Sequence, residues 1–239
     1  CSSLTLTGNA FASSNHCGEQ GVWGEILGAG SGERNDGQAS PSYLIWQDDV
    51  ARVLVDMGAG SQVGFEKSGA SFDTIEAIAF TQLRPDHSAD LPAYIGAAQS
   101  DTREQRLTIM GPTGDGGINP STRELIERLF GPQGAYPHLA DAFKPRSSLG
   151  YRVRSIDVPA SGSKRWARYQ TERVKMTAIP VHHGDIPALA WRIEIAGQSI
   201  VITGSFNNSK NLVATFAKDA DALVVSHAIP ENSRGVLRD

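Results

Sequence analysis

Short β-branched runs alternate with helix-type patterns along most of the chain, and that alternation leaves few folds open. Residues 22–27, 43–46 and 52–56 read as strands, with the Gly-, Asn- and Ser-rich stretch 28–42 as a loop between the first two. Residues 75–80 read as a further buried strand, ending in a loop at 81–86. Ser88 is positioned to cap a helix carrying Leu91, Tyr94 and Ile95, and Ser121 to Glu124 spells a capping box ahead of Leu125, Ile126, Leu129 and Phe130. The stretch 111–120 is too rich in Gly and Pro for regular structure, and the polar, basic stretch 147–168 reads as a mobile insert. Strands at 174–179, 189–195 and 199–203 follow, the last two joined by a tight turn at Gly197. A helix over 210–218 and a strand over 222–226 complete the pattern. Strands separated by helices, then strands again with their own helix, predict a layered α/β sandwich built from two similar halves.

At 239 residues and 40% hydrophobic content, the chain can bury one substantial core, read as a single domain over 21–239 behind an N-terminal arm at 1–20. A net charge of −4 gives no general pull toward nucleic acid or anionic membranes, and no nucleic-acid partner is evident. No apolar run approaches the ~20 residues of a membrane span. Cys1, followed by Ser2 and Ser3, resembles the mature end of a bacterial lipoprotein, which predicts an exported, periplasmic or lipid-anchored protein touching the membrane only through a lipid on Cys1. The other reading is a chain simply cut at that point. Cys17 is open to pairing with Cys1 or to staying free and buried.

The densest group of chemically capable residues runs from Thr81 through Gln82, Arg84, Asp86, His87 and Ser88 to Asp90, after a strand and before a helix, where α/β proteins hold ligands. An Asp-His pair alone is weak evidence. Three further features strengthen it: the strand ending at Asp56-Met57-Gly58, the pair His182-His183, and Thr203-Gly204-Ser205.

In order, Leu27 to Gly30, Leu54 to Gly58, Thr81 to Leu91, Pro180 to His183 and Ile202 to Ser205 resemble the landmarks of metallo-β-lactamase-fold hydrolases. The similarity covers about residues 22–235, and Pro187 to Ile193 is similar to the branch holding tRNA 3′-processing endonucleases, arylsulfatase-like enzymes and phosphodiesterases. The resemblance implies a four-layer αβ/βα sandwich of the metallo-β-lactamase type, truncated at the C-terminus relative to the family. It also implies metal-assisted hydrolysis by a hydroxide held between two metals.

The family pattern Thr-His-x-His-x-Asp-His supplies two His to one metal and an Asp-His pair to a second. By that resemblance Asp86, His87 and His183 remain as ligands, with His182 the less suitable neighbour of His183. The first two His positions are Gln82 and Arg84, the bridging Asp position is Ser205, and the family's last His would lie past Asp239. Gln is a poor zinc ligand, and guanidinium has no lone pair to offer. A +1 charge about 4 Å from a +2 ion costs roughly 8 kcal/mol at an effective dielectric near 20.

The sequence therefore predicts a degenerate, metal-free and catalytically impaired homologue, a pseudoenzyme. Arg84, with Gln82 and Ser205, would line a pocket for a small anionic ligand, or the surface would take a partner. Arg84 pairing with Asp86 is the expected contact. The alternative is an active ester or phosphodiester hydrolase with one Zn or Mn ion. A third reading is a mutated or truncated form of an active enzyme, in which Gln82, Arg84 and Ser205 are not the ancestral residues. His227 lies where the family tends to carry an acidic or His residue, and either acts as general acid or is a locally bonded strand-end His. Asp56 is read as a structural brace, and His16 and His138 as surface residues. Oligomeric state is open from the sequence, with a homodimer one candidate because dimers are common in the family that the chain resembles.

Overall fold

A computed structural model describes residues 20–30, 37–100, 103, 105–145, 147, 152–206 and 212–225. Cys1, His16, Cys17 and His227 lie outside the described residues, as do most of the arm and the stretch after Val225. Two sheets lie face to face. The first runs β1 (Val22–Gly28), β2 (Ser42–Gln47), β3 (Val50–Val55), β4 (Ala77–Ala79), β5 (Leu107–Pro112) and β6 (Val153–Val158), in that spatial order. Its first three strands are antiparallel, and β3 to β6 are parallel. The second has the order β11 (Ala222–Val224), β10 (Gln198–Ile202), β9 (Ala188–Ile195), β8 (Val174–Val181) and β7 (Trp166–Gln170).

Parallel strands need crossovers, and helices supply them: α1 (Ser61–Ser68), then α2 (Pro85–Ser88) and α3 (Leu91–Ala97), then α4 (Thr122–Phe130). One apolar cluster packs Phe65, Tyr94, Ile95, Ile126 and Phe130 against the outer face of the first sheet. A second fills the space between the sheets, with Val53, Val55, Ala77 and Met110 meeting Trp166, Met176 and Trp191. A third seats Val213 and Phe216 of α5 (Leu212–Ala217) on the second sheet. These layers make the αβ/βα sandwich expected from the sequence. Among the described residues, no helix is long and apolar enough to cross a membrane.

Several local expectations are corrected. Ser88 ends α2 and donates to the carbonyls of Leu83 and Arg84, each at 3.1 Å, while Asp90 occupies the cap position of α3. The stretch 147–168 is no simple insert: it holds β6, whose six residues pair in register with β5, and the start of β7. Its middle residues Arg154 to Asp157 are exposed or half-buried, and β6 is an edge strand of the first sheet, which meets solvent. β5 runs into Gly111 and Pro112, where the sequence predicted irregular chain. Gly111 permits a close approach, since a Cβ there would lie 2.6 Å from Thr122 Oγ1. The Ser121–Glu124 capping box forms as read, and Ala196 and Gly197 make the β9–β10 turn at positive φ.

Candidate functional site

The first sheet sends three connections to one end of the sandwich. β3 ends at Asp56, which adopts a left-handed φ of 58°. Asp tolerates this conformation better than most residues, and it swings the carboxylate back across the neighbouring strand end. There Asp56, fully buried, accepts from the Thr81 N–H and the Thr81 hydroxyl, both at 2.7 Å. His87 Nδ1 lies 2.8 Å from the same carboxylate. The structural brace read from sequence is thus realised through one backbone and two side-chain donors.

The second sheet closes on this point. Leu189 N–H donates to Thr81 O at 2.8 Å, and the Trp191 indole donates to Phe80 O at 2.9 Å. Gly204, at φ 59°, lies so near Thr81 that a Cβ would meet the Thr81 Cβ at 2.6 Å. Ser205 therefore follows directly from the floor of the site and is half-buried. His183 faces the same region half-buried, whereas His182 is exposed.

Within this frame Gln82 and Arg84 partner His87 and Asp86. Gln82, 1% exposed, places its amide Nε2 2.6 Å from His87 Nε2. Gln82 Oε1 is buried without a protein partner. Arg84 Nε lies 3.3 Å from Asp86 Oδ1, the ion pair expected from sequence. Asp86 Oδ2 is also 3.6 Å from His87 Nε2. Among the described residues no three His, Cys, Asp or Glu side chains converge on a point where a metal could sit.

Burial by itself lowers the His87 pKa, but the charge and hydrogen bond of Asp56, aided by Asp86 and opposed by Arg84, leave it raised above 6.5. A neutral His87 gives its Nδ1 proton to Asp56 and accepts the Gln82 N–H. A protonated His87 needs an acceptor at Nε2, which the unpartnered Gln82 oxygen supplies once the amide turns over. His183 is shifted the other way, below 6.5, by burial and then by the positive fields of Arg84 and His87. A histidine with a raised folded pKa stabilises the fold below its unfolded value, and that contribution is lost as pH rises through the folded pKa. NMR titration of the two rings should give His87 a midpoint above 6.5 and His183 one below it. The reverse order would mean that Asp56 does not hold His87.

The cavity beside this network is lined by Leu83, Arg84, Pro85, Asn119, Ile186 and Pro187, among others. Arg84 is half-exposed into it, while Gln82 lies beneath in contact with His87. The loop carrying Asn119 is a wall that sequence reasoning did not single out. It is held shut by the Asp115 carboxylate, which accepts from Gly117 N–H at 2.7 Å and from the Asn119 amide at 2.6 Å. That amide also donates to Asp185 O at 3.3 Å, joining two walls. The Asp-x-Gly-x-Asn spacing was the available signal.

No family model matches the chain. Among known proteins it is 27% identical over 149 residues to a ribonuclease Z of Lachnospira eligens, covering 57% of this chain and 47% of that one. It is 25% identical over 206 residues to a ribonuclease Z of Alkaliphilus oremlandii, covering 79% of this chain and 63% of that one. The chain thus spans less than two thirds of these relatives. Human tRNase Z, short form, superposes with a TM-score of 0.61 at 17% identity, over 85% of this chain and 92% of that one. The metallo-β-lactamase-fold protein YhfI of Bacillus subtilis gives a TM-score of 0.58 at 18% identity, over 84% and 69%.

Proposed function

This chain has the metallo-β-lactamase fold, within the hydrolase superfamily that includes ribonuclease Z, and on that footing we propose that its pocket binds a small anion on Arg84 in place of a dinuclear metal centre. The observation that carries this reading is that Gln82 and Arg84 pair with His87 and Asp86, two of the three ligand positions that the family pattern leaves in this chain. Gln82 covers His87 Nε2, the atom a metal would need, and Arg84 places its charge 3.3 Å from the Asp86 carboxylate. The residues present do not fit a two-metal centre. Zinc sites call on His, Cys and carboxylate, and a guanidinium in the same space repels a cation. Ser205, at the bridging position, brings no charge to hold two cations together.

Arg84 can serve an anion while keeping Asp86. Its Nε faces Asp86, and its side chain is 51% exposed, so the terminal nitrogens remain for a ligand. A phosphate or carboxylate would sit between Arg84 and the Asn119 wall, shielded by Pro85 and Pro187. The pocket then binds but supplies no activated water.

A second reading is a single-metal ester or phosphodiester hydrolase. Its support is that His183 shares an electrostatic neighbourhood with Asp86 and His87. It requires Gln82 and Arg84 to turn away. Elemental analysis after purification without chelator, with phosphodiesterase and esterase assays in added Zn²⁺ or Mn²⁺, separates the two. We expect little metal, no turnover, and phosphate binding that Arg84→Gln weakens about tenfold, the loss of one charge-assisted hydrogen bond. Stoichiometric metal with turnover would establish the second reading instead.

A further inference from the structure

A second cavity opens at the opposite end of the sheets. The parallel strands β3, β4 and β5 lead to Asp56, Thr81 and Pro112 at their C-terminal ends. Near their N-terminal ends, a groove lies between β6, an edge of the first sheet, and β7, an edge of the second. A six-residue strand spans about 20 Å, so this groove is remote from Arg84. Arg106, Arg154 and Arg168 line it, with Glu76 at its base.

Glu76 does not balance them. It is 6% exposed and already committed: Arg173 Nε lies 2.8 Å away, Arg52 Nη1 3.8 Å, and the Thr171 hydroxyl donates to its second oxygen at 2.9 Å. Positive charge is already crowded there, since burial and then the neighbouring Arg173 charge lower the Arg52 pKa. Among the described residues, none of Arg106, Arg154 and Arg168 enters an ion pair. The register places Arg154 opposite Thr108, and Arg106 two residues before Thr108 falls on the same face. Three exposed guanidinium groups thus share one concave surface in a chain whose net charge is −4.

We propose that this groove is an anion site for a small molecule carrying two or more phosphate groups, gripped by Arg106 and Arg154 from one sheet and Arg168 from the other. Guanidinium forks bind phosphate oxygens in pairs, which suits a ligand long enough to bridge the sheet edges. A single phosphate would leave much of the positive charge unmatched.

Calorimetric titration of the full chain with inorganic pyrophosphate tests this. Two sites are expected, the pocket at Arg84 and this groove, and the groove site is weakened about tenfold by either Arg154→Gln or Arg168→Gln, the loss of one charged hydrogen-bond pair. Arg154→Lys, which keeps the charge and loses the fork, should fall between. Arg84→Gln should weaken the pocket site alone, so the groove site is read in that background. Pyrophosphate binding to the Arg84→Gln variant that survives both glutamine substitutions, or its complete absence from that variant, would overturn the assignment. So would binding of a single-stranded RNA oligonucleotide with none of pyrophosphate, which would make the groove part of a nucleic-acid track.

Discussion

Asp56→Ala is expected to cost roughly 3–5 kcal/mol of folding stability, the penalty for stranding buried hydrogen-bonding groups when one partner of a charged network is removed. The Thr81 N–H, the Thr81 hydroxyl and His87 Nδ1 would all lose the acceptor they share, in a site without solvent. For a chain of this size, that corresponds to a fall in Tm of about 10 °C, read by calorimetry or circular dichroism. Asp56→Asn keeps one acceptor oxygen for Thr81 and should cost less. The raised His87 pKa should drop in both variants, since Asp56 is what opposes burial there. If Asp56→Ala melts within a degree or two of the parent, the carboxylate is not the brace of the site, and the geometry around Thr81 must rest on the sheet register alone.

The second large effect concerns metal. Gln82→His and Arg84→His combined with Ser205→Asp should give a chain that retains more zinc than the parent through purification without chelator. Removing the guanidinium eliminates a repulsion of roughly 8 kcal/mol against a divalent ion about 4 Å away. Replacing Gln82 frees His87 Nε2, now 2.6 Å from the amide nitrogen. Added zinc should then raise the Tm of the triple variant, because a ligand at about 100 times its Kd stabilises the native state by roughly 2.7 kcal/mol. The double variant at Gln82 and Arg84 isolates the role of the bridging carboxylate. Unchanged metal content in the triple variant would show that these positions are not what keeps the centre from forming.

Much of this architecture is legible in local sequence. The alternating strands and helices, the Ser121 capping box and the Ala196-Gly197 turn depend on residues within a few positions of each other, where periodicity and turn chemistry act directly. The Arg84–Asp86 pair is local in the same way, two residues apart. What escaped was non-local. The helix α1 is weakly amphipathic and carries Gly64 in its middle, and the Asp90 carboxylate caps its Gln62 N–H at 3.0 Å from 28 positions away. β6 looks like a polar insert because an edge strand meets solvent, and only its pairing with β5 reveals it.

The candidate site divides along the same line. Which residue types gather between Thr81 and Asp90, and which stand at the metal-binding positions, was determined by the sequence itself, because order along the chain is all that such a comparison uses. The partner each residue takes was decided by tertiary structure. The His87 ring on which Gln82 rests is held by Asp56, 31 positions earlier, arriving at the end of the adjacent parallel strand. The register of two parallel strands in one sheet sets that meeting, and no local pattern encodes it.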